Sequence, residues 1–125
     1  MGRDLAVDNQ VDLFYIVVVM VQNRLGDFEI LILAALIRLG DAAYGVPVRR
    51  EIETRTGRSI SIGAVYTTLA RLEKKGFVSS HVGEPIAARG GRAKRYFRAE
   101  DGGRVALQSA VRTIGRMTEG LSMSW

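Results

Sequence analysis

Apolar residues recur along this chain at two different periods, and the changes of period divide it into elements. From Asp27 the period is helical. Phe28, Leu31, Ile32, Ala35, Leu36 and Leu39 fall three and four residues apart and form a broad stripe that stops at Gly40. Asp27 is suited to cap this helix, and Glu29 lies in its first turn, where the helix dipole favours an anion. A second helix runs from Gly45 or Val46 to Thr56, with Pro47 tolerated in the first turn. Val48 and Ile52 face inward, Arg49, Arg50, Glu51, Glu53 and Arg55 cover the outside, and Gly57 is a natural left-handed stop. Arg58-Ser59-Ile60-Ser61 then makes a tight turn.

Ser61 is the expected N-cap of a third helix, which ends at Gly76 after Lys74 and Lys75. Ile62, Val65, Leu69 and Leu72 give it a buried stripe. The opposite side is assigned Gly63, Ala64, Thr67, Thr68, Arg71 and Lys75, small or hydrogen-bonding at first and basic further on. Such a helix fits a DNA major groove, although many solvated helices share the pattern. After Gly76 the style becomes β-branched and aromatic. Phe77–Val82 and Ala93–Arg98 are two extended segments joined by Gly83–Arg92, which holds Pro85 and Gly90-Gly91, so they form a hairpin. Its loop and return strand carry Arg89, Arg92, Lys94, Arg95 and Arg98, with no acid between Arg89 and Arg98. A last helix opens near Asp101 and continues to about Leu121, with Leu107, Ala110, Val111, Ile114, Met117, Thr118 and Leu121 on its stripe.

The first 24 residues differ in style. Polar, acidic Arg3 to Asp12 runs into the β-branched block Tyr15 to Val21. This reads either as a strand-forming extension or as sequence upstream of a true start at Met20.

Composition narrows the function classes. At 125 residues the chain is expected to form one domain, and 47% hydrophobic with 25% charged residues is ordinary globular composition. A net charge of +5 favours phosphate-rich partners or an anionic membrane surface, without choosing between them. No cysteine is present, which excludes disulfides and thiolate metal sites. A single histidine, His81, leaves no material for a His cluster or a Ser-His-Asp arrangement, and it reads as a structural strand residue. Glu100-Asp101 looks like helix-cap chemistry, and Gly90-Gly91-Arg92 lacks the Gly-Lys-Ser/Thr ending of a phosphate-cradling loop. An enzyme, a cofactor and a metal site are therefore not expected. Leu13–Val21 is too short to span a membrane and no secretory signal precedes it, so the expected location is cytoplasmic.

Three helices followed by a basic hairpin is the order of a winged helix-turn-helix, and the turn between the second and third helices is short, as that motif needs. The expected fold class is mainly α with a β-hairpin wing, plus a C-terminal helix. Ser61, Gly63, Ala64, Thr67, Thr68 and Arg71 are the DNA-facing candidates on the third helix, and Arg89, Arg92, Lys94 and Arg95 those on the wing. Tyr66 is expected to pack under the wing with its hydroxyl reaching a phosphate.

These residues also carry a family resemblance. Tyr44-Gly45, Arg50-Glu51-Ile52-Glu53, Thr56-Gly57, the run from Ser61 to Gly76 with its Tyr66, Gly90-Gly91-Arg92-Ala93-Lys94-Arg95-Tyr96-Phe97 and Gly103 resemble PadR-type transcriptional regulators over about Leu25 to Leu121. The resemblance implies a homodimeric, DNA-binding repressor of the small type, whose last helix supplies most of the dimer contact through Leu107, Val111, Ile114, Met117 and Leu121. It implies an N-terminal extension over residues 1–24, a DNA-binding unit over 25–99 and a dimerisation helix over 100–125. Glu100-Asp101-Gly102-Gly103 stands where a threonine cap is common, so the first turn of that helix is expected to fray. Some small members bind flat aromatic drugs through a tryptophan between their last helices. Here Ile114 and Met117 occupy the central stripe and Trp125 is terminal, so drug sensing is not expected and any small-molecule effector is unknown. The competing reading is a protein-interaction module that uses the last helix and the N-terminal apolar block.

Overall fold

Burial is concentrated on the inner faces of three helices. The computed structural model describes residues 24–84 and 93–122. Among the described residues, α1 (Asp27–Leu39), α2 (Gly45–Thr56) and α3 (Ile62–Lys74) precede an antiparallel hairpin of β1 (Val78–Val82) and β2 (Arg95–Ala99), and α4 (Asp101–Thr118) follows. A short 3-10 turn, Gly40–Ala42, links α1 to α2. Ile32 and Leu33 of α1, Val48 of α2 and Val65, Leu69 and Leu72 of α3 are completely buried together. Phe77, Val78, Phe97 and Ala99 close this core from the hairpin side. The register sets Val78 opposite Ala99 and Val82 opposite Arg95. Tyr44 adds a bridge on the other edge of β2, and Phe97 donates its backbone N–H to the Ala43 carbonyl at 2.8 Å.

The helix order and the hairpin follow the sequence expectation, with local differences that have physical causes. The N-cap of α1 is Gly26 rather than Asp27, and the Glu29 carboxylate accepts the Gly26 N–H at 2.8 Å. Asp27 instead pairs with Arg58 at 2.9 Å, tying the start of α1 to the turn after α2. Each strand begins one or two residues later than expected. The last helix stops at Thr118, so Leu121 lies beyond it. Its first turn is pinned rather than frayed. Glu100 donates its N–H to the Phe77 carbonyl at 2.9 Å, and Gly103 is buried against that same backbone, where a Cβ would collide with the Phe77 carbonyl oxygen. Glycine is required here by close approach, which outweighs its helix cost.

Glu29 is 5% exposed, and Lys75 sits on it at 2.9 Å while also donating to the Arg24 carbonyl at 3.2 Å. Lys75 therefore belongs to a buried ion pair joining the two ends of the three-helix unit. Its expected place on the outer face of the third helix is wrong. The stripe residue Ile62 is only half-buried at the first turn of α3, while the later three positions are fully enclosed. Residues 1–23 of the 1–24 extension, Arg89, Arg92 and Trp125 lie outside the described residues.

Two stability predictions follow from this packing. Leu69→Ala should lower unfolding free energy by about 2–5 kcal/mol in a denaturant titration, because it empties a fully enclosed position. Lys75→Met should cost about 3–5 kcal/mol by leaving the Glu29 charge buried and unpaired, whereas Glu29→Met/Lys75→Met should recover most of that loss. A double variant as damaged as the single one would show that the pair's charges are not what couples the two sites.

Candidate nucleic-acid interface

A helix turns about 100° per residue, so positions at i, i+4, i+7 and i+11 share one face. Opposite the buried Val65, Leu69 and Leu72, that face of α3 carries Gly63, Thr67, Ala70 and Lys74, with Ala64 and Arg71 beside it, all exposed. Ser61 caps the helix by accepting the Ala64 N–H at 3.1 Å. The predicted residues Ser61, Gly63, Ala64, Thr67 and Arg71 are thus brought together on one solvent-facing surface. Thr68 is not among them. It is only 4% exposed, because it follows Val65 by three residues and precedes Leu72 by four, which places it on the inner stripe. Ala70 and Lys74 were missed as candidates, although counting seven and eleven residues on from Gly63 would have found them.

The turn that presents α3 is held by side chains. Gly57 ends α2 in the left-handed region at φ 75°, and Glu53 accepts the backbone N–H of Ile60 at 3.1 Å. Tyr66 is 45% exposed, and its ring and hydroxyl lie across Gly45 at the start of α2. Any side chain at Gly45 would collide with the Tyr66 hydroxyl and ring, so glycine at this position is what admits the tyrosine here.

At the wing root, Tyr44, Tyr96 and His81 form an aromatic row across the two strands and the Tyr44 bridge. Tyr44 meets Tyr96 edge-on at 5.5 Å between centroids, and His81 stacks on Tyr96 at 5.6 Å. The Lys94 ammonium sits 4.7 Å from the centre of the Tyr44 ring. Lys94 is consequently half-buried and fixed at the root of the hairpin. Arg95 donates to Ser80 Oγ at 2.9 Å, and the Ser80 hydroxyl in turn donates to Glu73 of α3 at 2.7 Å.

The face of α4 divides along its length. Gly103 is buried, and Ala106 and Leu107 are partly buried against the core, so Leu107 contributes to the chain's own fold. The same stripe continues into Ile114, Met117 and Leu121, with Val111 beside it, and all four are at least half exposed. An open cleft of about 650 Å³ runs beside this helix, lined by Leu25, Ile30, Phe77, Val105, Ala110 and Ile114 among others. Among the described residues, no group of three or more His, Asp or Glu side chains is placed to hold a metal ion. None of the described helices is long and apolar enough to cross a membrane.

The model of the PadR-like family of transcriptional regulators matches residues 32–109, more than half of the chain. The chain belongs to that family. A PadR family regulator from Eggerthella lenta is 21% identical and superposes with a TM-score of 0.63, the match covering 94% of this chain and 93% of that one. A transcriptional regulator from Clostridium thermocellum is 25% identical with a TM-score of 0.61, over 73% of this chain and 85% of that one. A PadR-like transcription factor from Bacteroides fragilis gives 18% and 0.63, over 74% and 84%. The first and third of these likenesses speak to the fold alone, which is the winged helix. A comparison with curated proteins finds no match. Membership makes the chain a DNA-binding transcriptional regulator, in agreement with the expectation drawn from its helix order and motifs.

The geometry separates neighbouring residues that looked alike in the sequence. Thr67→Val should change preference among duplexes in competition binding, while Thr68→Val should leave preference unchanged. Lys74→Ala should weaken binding across sequences and reduce the salt slope by about one ion. A Thr68→Val variant with altered preference would put the wrong face of α3 against DNA.

Proposed function

We propose that the chain is a repressor that binds a pseudo-palindromic operator as a homodimer. The observation that carries this reading is the outer face of α3, where Gly63, Ala64, Thr67, Ala70, Arg71 and Lys74 stand exposed on a helix whose other face is enclosed. Small residues near the N-terminus of α3 allow close approach of its backbone to phosphate. Thr67 is suited to a base edge or a thymine methyl, and Arg71 and Lys74 to guanine or phosphate. Tyr66 of α3, exposed where it lies across Gly45, and Lys94 at the wing root add further contacts, and Arg89 and Arg92 supply the wing with phosphate contacts. Residues 25–99 form the DNA-binding unit in this reading.

The dimer rests on the second half of α4. Val111, Ile114, Met117 and Leu121 are apolar, exposed and not needed by the protomer's own core. Covering them with the equivalent face of a second copy removes apolar area from water and places two α3 helices about one helical turn of DNA apart, or a multiple of that. A protein-interaction module would present the same face, and the two readings part on the state of the purified chain.

Sedimentation and gel-shift measurements test both parts. The chain should sediment as a dimer at micromolar concentration and bind the region upstream of its own gene better than random DNA. Ile114→Glu/Met117→Glu should give a folded monomer whose affinity falls by about 10²-fold or more, because the second α3 is no longer tethered. Equal affinity for the upstream region and random DNA would overturn the operator reading, and a wild-type monomer would overturn the dimer.

A further inference from the structure

Glu73 is an unexpected residue for its place. It lies in the last turn of α3, where the helix dipole disfavours an anion, and it is exposed beside Lys74 on the helix expected to meet phosphate. Both circumstances oppose a carboxylate there. The carboxylate is not idle, however. It accepts from the Ser80 hydroxyl of β1 at 2.7 Å, and the Ser80 oxygen accepts from the Arg95 guanidinium of β2 at 2.9 Å. The hydroxyl is used in both directions, so the charges at either end of the relay reinforce one another through it.

We infer that Glu73 is a positioning residue for DNA binding: through Ser80 it holds Arg95, and so fixes the hairpin at one offset from the reading face of α3. The inference rests on the DNA-binding reading of that face. Near this point the two elements are also joined by the short turn from Lys75 to Phe77, and their inner faces share the core. Core packing fixes their distance. The relay lies at the outer edge of the joint, where rotation of the hairpin about its own length would move the wing most. Ser80 is paired with Phe97 in the strand register, so the hydroxyl is carried on a part of β1 whose partner residue is anchored in the core. Arg95 is then a strut, and its expected role as a direct phosphate ligand is replaced by an indirect one. An exposed relay of this kind contributes little to global stability. Its effect is on where the wing is, not on whether the protein folds.

This makes an opposite prediction from simple electrostatics. If Glu73 were only an acid near phosphate, removing it would tighten binding to every duplex. The relay predicts a loss of discrimination instead. A preferred duplex is first selected by the wild-type chain from a random pool, and fluorescence anisotropy then compares it with a scrambled duplex. Glu73→Ala and Ser80→Ala should each reduce the ratio of the two affinities by about three- to tenfold, the size expected for one charge-assisted hydrogen bond in a partly exposed setting. The double variant should lose no more than either single one, and Ser80→Thr, which keeps the hydroxyl, should retain the wild-type ratio. Thermal midpoints should stay at the wild-type value throughout. Tighter binding of Glu73→Ala to both duplexes alike, or additive losses in the double variant, would overturn the inference. A wild-type chain that selects no duplex would sink the operator reading on which it stands.

Discussion

Everything on the proposed DNA side of this molecule depends on the enclosure of one face of α3. Val65, Leu69 and Leu72 have no solvent exposure, and they meet Ile32 and Leu33 of α1, Val48 of α2 and the hairpin residues Phe77 and Phe97 in one core. About two turns of helix anchored in this way leave little freedom to rotate about the axis. The opposite residues, Gly63, Thr67, Ala70 and Lys74, therefore face solvent as a fixed set. A helix of this length would be marginal alone, so its order comes from this packing rather than from propensity.

Around that core, polar contacts hold the ends of the elements where apolar packing is thin. Arg58 pairs with Asp27, Glu53 closes the turn before α3, and the buried Lys75–Glu29 pair fastens the end of α3 to the start of α1. The hairpin is tied on two sides, by the Tyr44–Tyr96–His81 row and by the Glu73–Ser80–Arg95 relay. Two glycines allow the closest approaches, Gly45 beneath Tyr66 and Gly103 against Phe77. α4 then leaves the core halfway along, which is why its stripe is longer than the chain's own core covers.

Periodicity made the helices, the hairpin and the inner stripe of α3 legible, because three- and four-residue spacing is a direct image of burial. The boundaries between faces were less legible. Thr68 is polar, and its chemistry suggested an outer position that its spacing from Val65 and Leu72 contradicts. Ala70 is apolar and Lys74 looked like end-of-helix chemistry, so both were passed over although their spacing from Gly63 places them outside. Long-range partners were not legible at all. Nothing near Lys75 in the sequence announces Glu29, which is 46 positions away, and nothing near Arg95 announces Glu73. The family motifs pointed to Tyr44-Gly45 and Tyr66 as a set, and the steric reason appears only when the ring is seen lying on the glycine.

The adjacent lysines at the end of α3 offer the most direct check on which way that helix faces. Lys74 is exposed on the outer face, while Lys75 is held by Glu29 and the Arg24 carbonyl. Acetylation of the folded chain, read by mass spectrometry with and without a bound duplex, should show Lys74 reactive when free and protected by DNA, with Lys75 slow to react in both states. Protection of Lys75 with Lys74 left reactive would contradict the assignment of the reading face.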